Sequence, residues 1–229
     1  MITAVNNVTF TLIEHEDLFA EYRNEIEAFW AEICRKNPHA YSEQVLSVME
    51  TKQDGVNYAL TIGWIRFHES FYSKMVGNIK TRTLFSGGYI ITEDGYFCVA
   101  LDKRPTINLI GGVASADDFT DGQYDPELCL IREFKEEIGM DITDEYFRYK
   151  LRYIRTAPDD VKYAPFGLLY EVRTTLKKEE LQVLFEKNAR DDELQCLLFF
   201  RPGDYSIFDQ YEQRPYIREL FEYIEKESK

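Results

Sequence analysis

The stretch from Asp125 to Gly139 constrains this chain most, because it can form only one kind of helix. Asp125-Pro126-Glu127 has the order of a helix start. The aspartate is an acceptor for the N-cap, proline suits the first turn, and the glutamate faces the positive end of the helix dipole. Gly139 supplies the C-terminal stop. At ~100° per residue, Ile131, Phe134 and Ile138 gather on one face and Glu133, Glu136 and Glu137 on the opposite one. The apolar face must be covered by other structure. The anionic face carries three carboxylates that repel one another, by roughly 0.2 to 0.5 kcal/mol per exposed pair and more when partly buried. A hard divalent cation relieves that repulsion, since Mg2+ and Mn2+ prefer oxygen ligands. On an arbitrary surface helix, however, E-x-x-E-E is more often a solvated acidic face.

The surrounding pattern is mixed α and β. From residue 81 onward strands and helices alternate: a hairpin over 84–92 and 96–101 around Asp94-Gly95, a strand from Thr106 into Gly111-Gly112, then the acidic helix. Strands near 149–156 and 166–174, a helix over 176–188, a strand over 194–201 and a closing helix over 214–226 follow. Residues 1–80 read as a smaller α+β unit. It has a strand over 7–14, a helix over 17–36 stopped by Asn37-Pro38, a hairpin over 44–51 and 56–64 around Asp54-Gly55, and a short helix over 66–75 ending at Gly77.

Composition narrows the function classes. With 229 residues, 45% of them hydrophobic, the chain can bury a core without disulfides or structural metal. Cys34, Cys98, Cys129 and Cys196 are widely spaced in apolar stretches with no CxxC pair, as expected of buried free thiols in a reducing cytoplasm. No basic-then-apolar leader and no apolar run of spanning length is present, which argues against secretion and membrane insertion. A formal net charge of -14 disfavours a nucleic-acid polymer as partner. His15, His39 and His68 show no ligand spacing and read as surface or structural residues.

Arg132-Glu133-Phe134-Lys135-Glu136-Glu137-Ile138-Gly139-Met140 resembles the second half of the Nudix box, R-E-U-x-E-E-x-G-U with U a bulky aliphatic or similar residue, at every defined position. Gly111-Gly112 is similar to the glycine pair that opens the box. The resemblance implies a Nudix α/β/α sandwich over residues 81–229, preceded by the small N-terminal unit. It also implies hydrolysis of a phosphoanhydride bond in a nucleoside diphosphate linked to another moiety. Carried over residue by residue, Glu133, Glu136 and Glu137 would hold Mg2+ or Mn2+, the Gly112 carbonyl would complete the shell, and Arg132 would orient a glutamate. Lys103 and Arg104 would touch phosphate, though charges at a hairpin end are commonly only solubilising. Asp191-Asp192-Glu193 sits where many members add a carboxylate.

Two departures stand out. The family places thirteen residues between its box glycine and arginine, whereas nineteen separate Gly112 from Arg132, so residues 114–124 carry an insertion of six. The position of the family's first glutamate holds Tyr124, leaving that glutamate's part missing or supplied by Asp125 or Glu127. Cys129, one turn before Glu133, reads as a packing residue. The N-terminal order of Trp30, Lys36-Asn37-Pro38, Tyr41, a hairpin and Phe71-Tyr72 faintly resembles the extension of members that cleave UDP-sugars, and such a unit could serve substrate recognition or a homodimer. Two rivals are a non-catalytic Nudix-fold nucleotide sensor, which would normally have lost metal glutamates, and an isopentenyl diphosphate isomerase, whose cysteine and glutamate motifs are not found.

Overall fold

The computed structural model describes residues 1–14, 18–40, 42–76, 80–157, 164–188 and 194–227. The first strand, β1 (Ile2–Ala4), is followed by β2 (Asn7–Leu12), α1 (Arg23–Lys36), β3 (Gln44–Asp54), β4 (Asn57–Arg66) and α2 (Phe67–Val76). Next come β5 (Leu84–Ile91), β6 (Phe97–Asp102), β7 (Thr106–Asn108), β8 (Ile110–Val113), the two-residue strands β9 (Phe119–Thr120) and β10 (Gln123–Tyr124), and α3 (Pro126–Glu137). The chain continues with β11 (Phe147–Arg155), β12 (Phe166–Thr174), α4 (Lys178–Asn188), β13 (Leu194–Phe200), β14 (Glu212–Gln213) and α5 (Pro215–Glu227).

Nine strands form one mixed sheet along the path β1-β11-β12-β5-β6-β7-β14, with β13 paired to β6 and β8 to β5. Alternation along its strands feeds two cores. On β6, Cys98 and Ala100 face the side covered by α3 and α4, where Leu130, Phe134, Leu181 and Phe185 are buried. Phe97, Val99 and Leu101 face the other side, where α5 buries Ile217, Leu220, Phe221 and Ile224. Helices thus cover both faces, giving an α/β/α sandwich.

The N-terminal unit is a three-stranded sheet, β2-β4-β3, with α1 and α2 packed beside it. Asp54-Gly55 turns β3 into β4 as the sequence reading expects, with Gly55 at φ 58°. The unit is not separate in space. Leu46, Val48, Leu60 and Ile62 share one core with Leu84, Leu130 and Phe134, and β1, first in sequence, pairs with β11 of the large sheet. Among the described residues no helix is long and apolar enough to cross a membrane. Cys34 and Cys196 are half-buried rather than buried, so the expectation of four buried thiols holds only for Cys98 and Cys129.

Candidate active site

Helix α3 begins as its sequence dictates: the Asp125 side chain accepts from the Glu127 N–H at 3.0 Å and Pro126 occupies the first turn. It ends at Gly139, whose φ of 67° falls in the left-handed region that glycine tolerates. Leu130 and Phe134 anchor it to the sheet with no exposure. This docking lays the glutamate side against β8 and its paired glycines.

The three box glutamates are not equivalent. Glu137 is buried, and its carboxylate accepts from the Gly111 N–H at 2.9 Å. Glu133 packs over Gly112 so closely that a Cβ there would displace its carboxylate. Burial pushes the Glu133 carboxyl above its ordinary pKa, and the Arg132 guanidinium works against that shift. Glu136 is the half-exposed one, so the anionic face is solvated at one residue out of three.

Arg132 gathers the acids. One of its terminal nitrogens meets Glu133 at 2.6 Å and Glu136 at 3.2 Å, and the other donates to the Val113 carbonyl at 3.3 Å. Its remaining edge holds Asp118 in a bidentate pair, both contacts at 3.1 Å. Burial would lower the pKa of this guanidinium, but the bond to Asp118 and the charges of Glu133 and Asp118 raise it. Asp118 is fully buried and further fixed by the Ser115 N–H at 2.8 Å.

That aspartate corrects the sequence reading. Neither Asp125, which caps the helix, nor Glu127 bonds Arg132; the insertion supplies the partner from Asp118. The insertion is also ordered by its own chemistry. Asp121 and Gly122, at φ 50° and 76°, make a tight turn between β9 and β10. The hairpin directs Phe119 and Tyr124 onto the N-terminal sheet. Tyr124 meets Phe10 edge-on at 4.9 Å, and Phe119 lies 5.3 Å from Trp64. The tyrosine in the family's glutamate position is thus buried packing, and burial raises its hydroxyl pKa. Cys129 is buried as expected, its thiol donating to the Gly112 carbonyl at 3.5 Å.

A cleft of about 1010 Å³ opens over this cluster, lined by Arg132, Glu133, Glu136 and Glu137 and by Trp30, Phe67 and Phe71 of the N-terminal unit. Arg104 reaches it and Lys103 is not among its lining residues. Arg214, before α5, and the exposed His39 also line it; sequence gave no sign of either, because their neighbours in space are distant in the chain. Among the described residues no three His, Cys, Asp or Glu side chains converge as a metal cage. Asp191, Asp192, Glu193, His15 and Tyr41 lie outside the described residues.

No protein-family model matches this sequence, and no curated protein matches it. Solved structures do match in shape. The DR0079 protein of Deinococcus radiodurans superposes with a TM-score of 0.53 at 12% identity, over 79% of this chain and 98% of its own. Tm1382, described as a putative Nudix hydrolase, gives 0.48 at 14% identity over 80% and 99%. A Nudix-family hydrolase of Clostridium perfringens gives 0.41 at 15% over 65% and 99%. The mixed sheet and the helices on both its faces give this chain an α/β/α sandwich, the fold it shares with the DR0079 protein.

Proposed function

We propose that this protein is a metal-dependent hydrolase that cleaves a phosphoanhydride bond in a nucleoside diphosphate linked to another moiety, a nucleotide sugar being one such compound. The observation that carries the reading is the crowding of box carboxylates at the floor of a large cleft. Asp118, Glu133 and Glu136 all share the single guanidinium of Arg132, and Glu137 lies beside them on the same helix. That set is rich in hard oxygen donors and short of positive charge, which fits a hard divalent cation such as Mg2+ or Mn2+. In the present arrangement the acids bond Arg132 and the Gly111 N–H rather than converge, so they would turn by side-chain rotation to ligate.

Glu133, Glu136 and Glu137 would hold the metal. The Gly112 carbonyl, which accepts from the Cys129 thiol, is the backbone ligand that the resemblance would add. The bound ion supplies Lewis-acid polarisation of phosphoryl oxygens and a more acidic water. The chain's own part is to position and to balance charge. Arg132 holds two glutamates in place while Asp118 holds Arg132. Arg104 and Arg214 face the cleft where negative oxygen charge would grow in the transition state. A box glutamate takes the proton of the attacking water. The water oxygen bonds to phosphorus, the bridging anhydride oxygen leaves with its electron pair, and the products are a nucleoside monophosphate and the phosphorylated remainder.

The test is a panel of nucleotide sugars, ADP-ribose, dinucleotides and nucleoside triphosphates, assayed with Mg2+, with Mn2+ and with excess EDTA. Turnover of at least one compound that stops in EDTA and returns with metal is expected, with heavy oxygen from labelled water found on a phosphoryl group. Turnover undiminished by EDTA, or release of an intact nucleoside diphosphate, would overturn the reading. Tight binding of a nucleotide with no turnover under any metal would make the protein a sensor instead.

A further inference from the structure

The N-terminal unit lines the same cleft as the carboxylates with a wall of different chemistry. Trp30 of α1 is half-buried, and its indole lies against the imidazole of His68 with centroids 5.5 Å apart and planes 27° from parallel. His68 is itself buried and fixed, its ring Nδ1 and its backbone N–H each 3.0 Å from the Ser42 hydroxyl. Burial also depresses its pKa, which favours the neutral ring. Phe71 of α2 is braced from behind by Phe29 at 5.8 Å. Phe67, 39% exposed, lies parallel to Phe71 within 7°. Rigid rings, supported on the protein side, are thus presented to the same space that the box faces.

An aromatic wall of this kind recognises a flat ring with an apolar face and polar edges. Stacking is tolerant of which ring it is, while Asn37, His39 and Glu43 on the same wall provide donors and acceptors for its rim. The cleft is also far larger than a diphosphate requires, standing at the upper end of ordinary ligand pockets. We infer that the wall centred on Trp30 is the nucleobase subsite of this cleft, so that the N-terminal unit grips the base while the box acts on the diphosphate. The inference rests on the hydrolase reading for the identity of its ligand and on the cleft geometry for its place.

The chain has two tryptophans, and the other, Trp64, packs on Phe119 away from this cleft. A Trp64→Phe protein therefore reports on Trp30 alone by fluorescence. It is titrated in EDTA with AMP, UMP, GMP and CMP, and separately with ribose 5-phosphate. At least one nucleotide should quench saturably and ribose 5-phosphate should not. Calorimetry on Trp30→Leu should then show that nucleotide bound about 10-fold more weakly, within the range expected for a lost base stack. Phe67→Ala, an exposed position that does not threaten folding, should weaken it several-fold. Equal quenching by ribose 5-phosphate would assign the wall to a phosphosugar and overturn the inference, as would metal-dependent turnover with no base-dependent quenching. Base-dependent quenching without turnover would sustain the subsite and sink the hydrolase reading.

Discussion

Two arginine–carboxylate pairs, one in the N-terminal unit and one in the box, show how differently the two walls of the cleft are built. Arg35 and Glu32 on α1 make a bidentate pair at 2.9 and 2.7 Å, shorter than the 3.1 Å contacts of Arg132 with Asp118. Yet the α1 pair stands in solvent, with side chains 71% and 45% exposed, while Asp118 has no exposure and Arg132 only 23%. Water competes for the first pair, and its short contacts carry little energy. The second cannot be broken without leaving a charge in a poor solvent. The box wall is therefore organised by charge under burial, and the N-terminal wall by aromatic packing, with the Arg35–Glu32 pair left in solvent.

The sharpest way to break this contrast is at the box. Glu136→Gln removes a carboxylate at the half-exposed position and should cut kcat at least about 100-fold, the order seen when a charge-stabilising element is lost. Folding should persist, since repulsion falls. A variant with near-normal kcat at saturating metal would return the helix to the status of a solvated face. Next in size is Asp118→Ala, which strands the buried edge of Arg132 and should cost about 3 kcal/mol in urea unfolding. A purely structural aspartate would leave kcat untouched in the protein that remains folded, whereas a residue that positions Arg132 should lower kcat with little change in KM.

Phe119→Ala probes the seam between the walls. Loss of its ring contacts with Trp64 and Tyr124 should cost about 1 kcal/mol, and by loosening the N-terminal wall it should raise KM while sparing kcat. A fall confined to kcat would mean that the hairpin serves only the box. Smallest of all is Glu32→Ala, for which neither the melting temperature nor turnover should move measurably, in spite of the short contacts it removes.

What was legible in the sequence follows the same division. Helix α3, its cap, its stop and its two faces were readable because each depends on neighbours within a few residues. So were the hairpins at Asp54-Gly55 and Asp94-Gly95 and the longer strands from Leu84 onward, though not the short β9, β10 and β14. Asp118 was not, being one of several acids in a loop, among them Asp117, Asp121 and Asp125; only its burial distinguishes it, and burial is a tertiary fact. The signal that could have found it is the pair of aromatics, Phe119 and Tyr124, in an otherwise small and polar stretch, which marks a loop with something to dock on. The pairing of Ile2–Ala4 with β11 is a contact across about 150 residues that no local pattern encodes. Arg214 and the exact membership of the aromatic wall were hidden for the same reason.

The backbone that joins the small sheet to the large one has a mechanical consequence. The N-terminal unit leaves the large sheet after β1, and it is held again along β3, where the Leu46 N–H donates to the Ala114 carbonyl at 3.1 Å and the Val48 N–H to the Arg82 carbonyl at 2.9 Å. A lobe hung on one linker could swing like a jaw; one fastened along a strand and at its start cannot. The cleft then behaves as a gauge of fixed width, selecting ligands by the span between their ends rather than by closing on them. Its rigidity is directly measurable, for the Leu46 and Val48 amides should exchange their hydrogens as slowly as those at the centre of the large sheet.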